Sequence, residues 1–171
     1  MRIYTLGYQG LSVAEYIRLL RASGIGIILD VRENPWSYRP EFVGSTLKGT
    51  LTLARIDYAH IRAAGNPATN RRTATSAEEC LERYRLHLSN NRSCLEELYS
   101  FIRYYDEQNR PACLTCYESD KDHCHRSVLI ESLRDIVPDL QPIHLPLTEP
   151  IARKTQSLHK TAFIHPSLLG T

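Results

Sequence analysis

Short apolar runs alternate along the chain with longer stretches in which apolar residues recur every three or four positions. The short runs are typical of buried strands, and the recurring pattern is typical of amphipathic helices. The predicted strands cover residues 2–6, 25–31, 56–61, 111–117 and 142–147. Because strands that alternate with helices favour a parallel sheet, the pattern predicts an α/β fold. We expect a three-layer, open, mostly parallel sheet of about five strands, which is a Rossmann-like arrangement.

Serine residues followed three positions later by glutamate mark the predicted helix starts. Such a pair forms a capping box, in which each side chain accepts a hydrogen bond from the other residue's backbone N–H. The pattern precedes three helical stretches, at Ser12 with Glu15, Ser76 with Glu79 and Ser93 with Glu96. A weaker periodicity predicts a helix over residues 45–55, and Gly24 is suited to end the first helix. Residues 65–75 are polar and are predicted to form a loop.

The most informative stretch is the loop between the strand at 111–117 and a predicted helix that begins at Arg126. This loop carries a carboxylate, a thiol and an imidazole in Glu118, Cys124 and His125. The free N–H groups and the positive end of the dipole at a helix start favour an anion. A thiol in that place, beside Arg126, is where a thiolate would be stabilised. The sequence therefore predicts an active site in this loop.

Polar residues also follow the first two predicted strands, Tyr8 after the first and Asp30 and Arg32 at the end of the second. In doubly wound sheets, ligands bind at the carboxyl ends of the strands, where the strand order reverses. We therefore expect these segments and the loop to converge on one crevice. The predicted catalytic residues are Cys124 as reactive thiol and Glu118 or Asp30 for proton transfer. The predicted substrate- and anion-binding residues are Arg126, Arg32, His125, Tyr8 and Trp36.

Each of these residues also has a purely structural interpretation. Cys124 would then be a buried residue at a helix start, and Arg126 would pair with Asp30 or Glu118 to tie the strand ends together. Asp30 would equally serve as the ion-pair partner that orients Arg32 or Arg126. Both interpretations stay open at this point.

The thiols of Cys113, Cys116 and Cys124 raise the question of a metal or a redox pair. Together with His125 they would supply the four ligands that zinc requires. Cys113 and Cys116 are three positions apart, so their side chains would point to opposite faces of a strand. The sequence therefore assigns no metal site and no cofactor. Cys116 remains a redox candidate, because a pair with Cys124 across the loop is geometrically easier.

The loop after the second strand alternates aromatic residues with arginines, at Trp36, Tyr38 and Phe42 with Arg32 and Arg39. Such residues would stack a base and bind its phosphates. Arg71 and Arg72 would extend a phosphate path. In the alternative interpretation the loop is a lid whose aromatic side chains fold onto the core.

Composition narrows the class of protein. The chain has 171 residues, of which 42% are hydrophobic and 23% charged, and its net charge of +2 is too mild to indicate nucleic acid by itself. It has no apolar run of membrane-spanning length and no signal-peptide pattern near Met1, so we expect a cytoplasmic protein with no membrane partner. The chain has five cysteines, an odd number, and we expect their thiols to be reduced. We expect one domain over residues 1–147 and an irregular or docked tail over 148–171, and a homodimer is one interpretation of that tail.

Four stretches resemble a known family, DUF488, whose members are conserved proteins of unassigned function. The stretches are Thr5-Leu-Gly-Tyr8, Asp30-Val-Arg-Glu-Asn-Pro-Trp-Ser37, Tyr58-Ala-His-Ile61 with Gly65-Asn66, and Cys116-Tyr-Glu118 with Cys124-His-Arg-Ser127. The resemblance spans residues 2–147 and implies an α/β domain in which these motifs cluster, but it implies no reaction. Two positions depart from the family pattern: Tyr8 stands where histidine is frequent, and Cys113 where an aliphatic residue is usual.

The leading hypothesis from the sequence is an enzyme that acts on a phosphate-containing substrate, either a nucleotide or a nucleic acid. Its site would combine cysteine, arginine and carboxylate groups at the carboxyl ends of the strands. Two alternatives remain open: a non-catalytic module that binds a nucleotide or a nucleic acid, and a thiol-based redox or metal protein.

Overall fold

A computed structural model describes residues 1–145 of the chain, and five parallel strands form its central sheet. The strands are β1 (Arg2–Gly7), β2 (Ile27–Asp30), β3 (Asp57–His60), β4 (Ala112–Cys116) and β5 (Gln141–His144). Their spatial order is β3-β2-β4-β1-β5, so β4 lies between β2 and β1. Ile3 and Ile27 both pair with Ala112, which places the amino ends of these three strands level.

Six α-helices connect the strands in the described part of the chain. They are α1 (Val13–Ala22), α2 (Gly44–Leu53), α3 (Ala68–Thr73), α4 (Ala77–Asn90), α5 (Arg92–Asp106) and α6 (His125–Arg134). Two short 3-10 helices, Pro40–Phe42 and Arg62–Ala64, lie in the loops that follow β2 and β3. No helix within residues 1–145 combines the length and apolar character that a bilayer crossing needs.

The sheet is covered on both faces, which makes three layers. Helices α1 and α2 pack on one face, where Tyr16 and Leu47 join the same buried cluster as Ile28. Helices α4, α5 and α6 pack on the other face, where their apolar residues cluster with Leu29 and Leu114. Because successive side chains of a strand point to opposite faces, the neighbours Ile28 and Leu29 belong to different layers. The predicted three-layer open sheet is thereby confirmed.

The helix starts agree with the sequence at two of the three predicted positions. Ser12 and Glu15 form the reciprocal box before α1. Ser76 Oγ accepts a hydrogen bond from the N–H of Glu79, but the Glu79 carboxylate accepts from the N–H of Thr75, so the predicted second box is only half formed. The third prediction is wrong, because Ser93 lies inside the first turn of α5. The predicted loop at 65–75 is also partly wrong, since it contains α3.

The first helix ends as its glycine predicts. Gly24 has a φ of +66°, and its N–H donates to the carbonyl of Arg21, while the N–H of Ile25 donates to the carbonyl of Leu20. These two bonds form the Schellman motif that a left-handed glycine allows. At the other end of the described chain, the last predicted strand is present as β5, whereas the predicted tail at 148–171 lies outside the described residues.

At Gly7, the last residue of β1, the backbone lies very close to the loop that follows β4. A Cβ added there would lie 1.7 Å from the backbone oxygen of Glu118. We therefore expect Gly7→Ala to displace the loop after β4 and to lower the free energy of unfolding, by about 1–3 kcal/mol or more as overpacking does. Urea denaturation followed by circular dichroism measures this change.

Gly49 offers the matched control for that substitution. It lies on the exposed side of α2, and a Cβ there would meet no atom within 4 Å. Gly49→Ala should therefore raise the free energy of unfolding, by up to about 1 kcal/mol. Equal stability of the Gly7 and Gly49 variants would contradict the close approach between β1 and the loop.

Candidate functional site

The carboxyl ends of β1, β4 and β2 continue to pair beyond the strands themselves. The N–H of Tyr8 donates to the carbonyl of Cys116 at 3.2 Å, and the N–H of Val31 donates to the carbonyl of Thr115 at 3.2 Å. The N–H of Gln9 donates to the carbonyl of Tyr117 at 2.9 Å. The segments that follow the three strands therefore leave the sheet side by side, and the residues after them converge as the sequence predicts.

Helix α6 returns the chain to this edge of the sheet. Its N-cap is Cys124, and its first residue, His125, reaches across to β2, where Nε2 lies 2.8 Å from the carbonyl oxygen of Val31. A carbonyl only accepts, so Nε2 is the protonated nitrogen, and Nδ1 faces the other way. The Tyr84 ring and the imidazole pack edge to face, with centroids 5.1 Å apart. The orientation of His125 is thereby set from two sides.

His125 belongs to a group of four residues that we call the thiol cluster, composed of Cys116, Glu118, Cys124 and His125. Its Nδ1 faces the other members. Nδ1 lies 3.7 Å from Cys116 Sγ and 3.9 Å from Cys124 Sγ. Glu118 Oε2 lies 2.9 Å from Cys116 Sγ and 3.2 Å from Cys124 Sγ. One oxygen, one nitrogen and two sulfur atoms thus lie within 4.8 Å of one another.

The two sulfurs of the thiol cluster differ in their electrostatic surroundings. The pKa of the Cys124 thiol is lowered, because Cys116 donates a hydrogen bond to it and His125 and Arg126 lie beside it. The pKa of the Cys116 thiol is raised by that same bond, by burial and by the neighbouring Glu118 carboxylate. Burial lowers the pKa of His125, but Cys124, the Val31 carbonyl and Glu118 together raise it by more, and the net shift is upward. These surroundings favour the thiolate form at Cys124 and the protonated form at Cys116.

Arg126 supports the thiol cluster from behind. Its guanidinium donates from Nε to Cys124 Sγ at 3.1 Å and also donates to the backbone carbonyl of Glu118. The side chain is only 1% exposed. Arg126 therefore holds the loop against the helix start and stabilises the thiolate, as a cation beside a cysteine does.

Asp30 and Arg32 form a buried ion pair at the end of β2. Arg32 donates from Nε to Asp30 Oδ1 at 2.8 Å and from a terminal nitrogen to Asp30 Oδ2. The other terminal nitrogen donates to the Tyr8 hydroxyl at 3.0 Å and to the carbonyl of Phe42 at 2.9 Å. The Asp30 carboxylate also accepts a bond from the Tyr58 hydroxyl at 2.8 Å. These contacts support the structural interpretation of this pair.

A cleft of about 570 Å³ opens above these strand ends. Among the residues that line it are Tyr8, Arg32, Trp36, Cys116, Glu118 and His125. Asp30, Cys124 and Arg126 lie behind its wall, and each of them is at most 1% exposed. The structure therefore brings all the predicted site residues to one edge of the sheet, but only some of them reach the space that a ligand would occupy.

The rim of the cleft carries exposed aromatic side chains. Trp36 is 54% exposed, Tyr38 is 92% exposed and Tyr117 is 47% exposed. Trp36 and Tyr38 contact each other edge to face, with ring centroids 4.4 Å apart. Phe42 behaves differently, because it is fully buried and stacks on Tyr8 at 4.2 Å. The aromatic loop thus folds onto the core at one end and stays open to solvent at the other.

Two arginines lie on the same rim, each with an acidic neighbour. Arg39 pairs with Glu41 at 2.7 Å, and Arg71 pairs with Glu33 at 3.2 Å. Both arginine side chains are partly exposed, so either one can contact a ligand in the cleft. His123 also lines the cleft, and Asp120 raises its pKa through a direct hydrogen bond.

The remaining residues that line the cleft include some that sequence reasoning did not single out. Tyr117 follows β4 directly, and Asn66 lies after β3 in one of the stretches that resemble DUF488. Tyr117 lies between Cys116 and Glu118 in the chain, and all three residues line the cleft. Cys113 is buried on the opposite face of the sheet among the α1 and α2 residues, as the alternation of side chains along a strand predicts.

The comparisons with known proteins identify a family. The model of the family described as "Domain of unknown function DUF488" matches residues 12–133 of the chain. No curated protein and no solved structure matches the chain significantly. The match covers the thiol cluster, the buried ion pair and the aromatic rim.

The buried ion pair generates a prediction about stability. Asp30→Asn should leave the Arg32 guanidinium buried without its counter-charge, and we expect it to lower the free energy of unfolding by about 3–5 kcal/mol. Urea denaturation of the variant and of the wild-type chain measures this difference. The control is Glu107→Gln, which breaks the solvent-exposed pair with Arg103 and should cost far less. If the two substitutions proved equally mild, Asp30 would not be the buried partner of Arg32.

Proposed function

The chain belongs to the DUF488 family, and we propose that it is an enzyme acting on a phosphate-containing substrate, either a nucleotide or a nucleic-acid strand. The observation that carries the proposal is the combination of an exposed aromatic rim with a reactive cluster at the floor of the same cleft. Trp36 and Tyr38 stand on one side of the rim, and Tyr117 follows the central strand. Large aromatic side chains are normally buried, so exposed ones around a cleft indicate a binding surface.

A nucleobase is the ligand that suits such a rim. Aromatic side chains stack on a base whatever its identity, and each stacked base contributes about 1–3 kcal/mol. The cleft volume of about 570 Å³ falls in the range of small-molecule sites. One nucleotide, or one unstacked nucleotide of a single strand, is the unit of this size that also offers a flat π-face.

The phosphate of that nucleotide would be bound at the rim rather than at the floor. Arg32 and Arg126 already donate to protein acceptors and are almost fully buried. Arg39 and Arg71 are partly exposed, and their acidic partners are partly exposed carboxylates that an incoming phosphate can replace. We therefore assign phosphate binding to Arg39 and Arg71, and we assign to Arg32 and Arg126 the positioning of the strand ends and the loop.

The thiol cluster is the reactive centre of the proposed enzyme. Cys116, Glu118 and His125 line the cleft. Cys124 and Arg126 support these groups from behind the wall. Glu118 is the group placed to take or give a proton, because its carboxylate reaches both the cleft and the sulfurs.

Trp36, the one tryptophan of the chain, provides a test of binding. We expect nucleoside monophosphates, or a short single-stranded oligonucleotide, to quench its fluorescence on titration, because a base stacks beside the indole. Tyr38→Ala should weaken the affinity about tenfold, which is the loss of one stacking partner. Tyr104→Ala removes another exposed tyrosine, on α5 and outside the residues that line the cleft, and should leave the affinity unchanged. The absence of quenching by every one of these probes would reject the proposed substrate class.

Chemical turnover needs a separate measurement. We expect mass spectrometry to detect a product after the chain is incubated with the probe that binds, and we expect Glu118→Gln to remove the product while the quenching of Trp36 persists. The amide keeps the size of the side chain but cannot accept a proton. A probe that binds but is never altered, under any metal or reducing condition, would favour the non-catalytic binding module instead.

A further inference from the structure

We propose that the thiol cluster is a zinc site, in which Cys116, Cys124 and His125 bind the ion and Glu118 supplies the fourth donor atom. This goes beyond the function proposed above and does not depend on which substrate the cleft takes. Zinc in proteins is bound by cysteine sulfur, histidine nitrogen and carboxylate oxygen, almost always in a tetrahedron. The cluster provides two sulfurs, one nitrogen and one oxygen, all within 4.8 Å of one another.

The spacing of these atoms fits a common ion. With a zinc–sulfur bond of about 2.3 Å and a zinc–nitrogen bond of about 2.1 Å, sulfur and nitrogen on one tetrahedral ion lie about 3.6 Å apart. His125 Nδ1 lies 3.7 Å from Cys116 Sγ and 3.9 Å from Cys124 Sγ. Glu118 Oε2, at 2.9 and 3.2 Å from the sulfurs, would need to withdraw by less than about 1 Å to take the fourth position.

The protonation of His125 suits a ligand. Its Nε2–H donates to the carbonyl of Val31, which leaves Nδ1 as the nitrogen that faces the sulfurs. A metal-bound histidine usually donates its other N–H to a backbone carbonyl or a carboxylate, because that bond fixes the ring and its tautomer. The packing of Tyr84 against the ring holds the same orientation. The ligand and its outer-shell partner are therefore both present.

The charges of the cluster also balance around a divalent cation. Two thiolates and the Glu118 carboxylate would carry three negative charges in a largely buried site. Without a cation, protons must separate these groups, because Glu118 Oε2 lies within hydrogen-bond distance of both sulfurs. A Zn²⁺ ion together with the Arg126 guanidinium, which donates to Cys124 Sγ, supplies three positive charges. Such outer-shell donors to a metal-bound sulfur are a regular part of metal sites.

The site would face the cleft through its carboxylate side. Glu118 is partly exposed, whereas the other members of the cluster, both cysteines and His125, are buried. Catalytic zinc sites keep three protein ligands and leave the fourth position to water or substrate. Glu118 is therefore the ligand that an oxygen atom of a substrate would displace, and its carboxylate would then be free to take or give a proton. Cys113 takes no part, because it lies on the other face of the sheet.

Zinc alone is the probe that tests this site. The full chain, purified without a metal-affinity tag, is stripped with a chelator under reducing conditions and titrated with Zn²⁺. Elemental analysis after gel filtration should then find one zinc per chain. Cobalt in place of zinc should give the sulfur-to-metal charge-transfer bands and the intense visible bands of a tetrahedral thiolate site. Neither readout involves a nucleotide, so the zinc site and the proposed substrate class can fail independently.

Variants identify the ligands. Cys116→Ser and Cys124→Ser should each weaken zinc binding by more than about 100-fold, which exceeds the usual effect of losing an outer-shell partner. The matched control is Cys113→Ala, which removes a thiol from the same strand and should keep one zinc per chain. Circular dichroism checks that each variant is folded.

Alkylation of the wild-type chain gives a second measurement that needs no variant. Iodoacetamide labelling mapped by mass spectrometry should show that zinc protects Cys116, which lines the cleft, but not the partly exposed Cys80. The proposal is overturned if the reduced chain binds no stoichiometric zinc. It is equally overturned if zinc is bound while Cys116 remains as reactive as before.

Discussion

The central position of β4 is the constraint on which the rest of the site depends. Because β4 lies between β1 and β2, the loop after it leaves the sheet with a partner on each side. The backbone bonds from Tyr8 to Cys116 and from Val31 to Thr115 fix the direction in which that loop starts. Gly7 lets the loop pass against the end of β1, and His125 then closes it by bonding to Val31. The position of the candidate site at the carboxyl ends of the strands is therefore a consequence of the strand order.

The same edge separates two kinds of charged group. The Asp30–Arg32 pair and the guanidinium of Arg126 are buried and bonded to protein atoms, so they determine where backbone segments lie. Arg39 and Arg71 are partly exposed, and so are the carboxylates with which they pair; such a charge pair contributes little and is easily replaced. Burial therefore divides the arginines of one cleft into those that build it and those that are free to meet a ligand.

Much of the fold could be predicted from the sequence because the inner strands β1, β2 and β4 are short, largely apolar and buried runs between polar turns. Strand order could not be predicted in the same way, because no local pattern states that β4 inserts between β1 and β2. The error at Ser93 has a local cause: Asn91 alone joins α4 to α5, and this short connection starts the second helix before the serine. A capping pattern predicts a helix start only where the chain has room to use it.

The candidate site was predicted as a group of residues, but not the part that each residue plays. The direction in which an arginine side chain points depends on hydrogen-bond acceptors in other segments of the chain. The Phe42 carbonyl is one such acceptor for Arg32, and no spacing rule predicts it. Glu118, the oxygen donor of the thiol cluster, differs from the arginines, because its place beside Cys116 could be predicted from the spacing of the two residues. Cys116 and Glu118 are two positions apart, and residues with this spacing point the same way as an extended chain leaves a strand. The alternation of side chains therefore places Cys113 and Cys116 on opposite faces of the sheet, and it places Cys116 and Glu118 on the same side. The same rule that argues against Cys113 as a zinc ligand thus argues for Glu118.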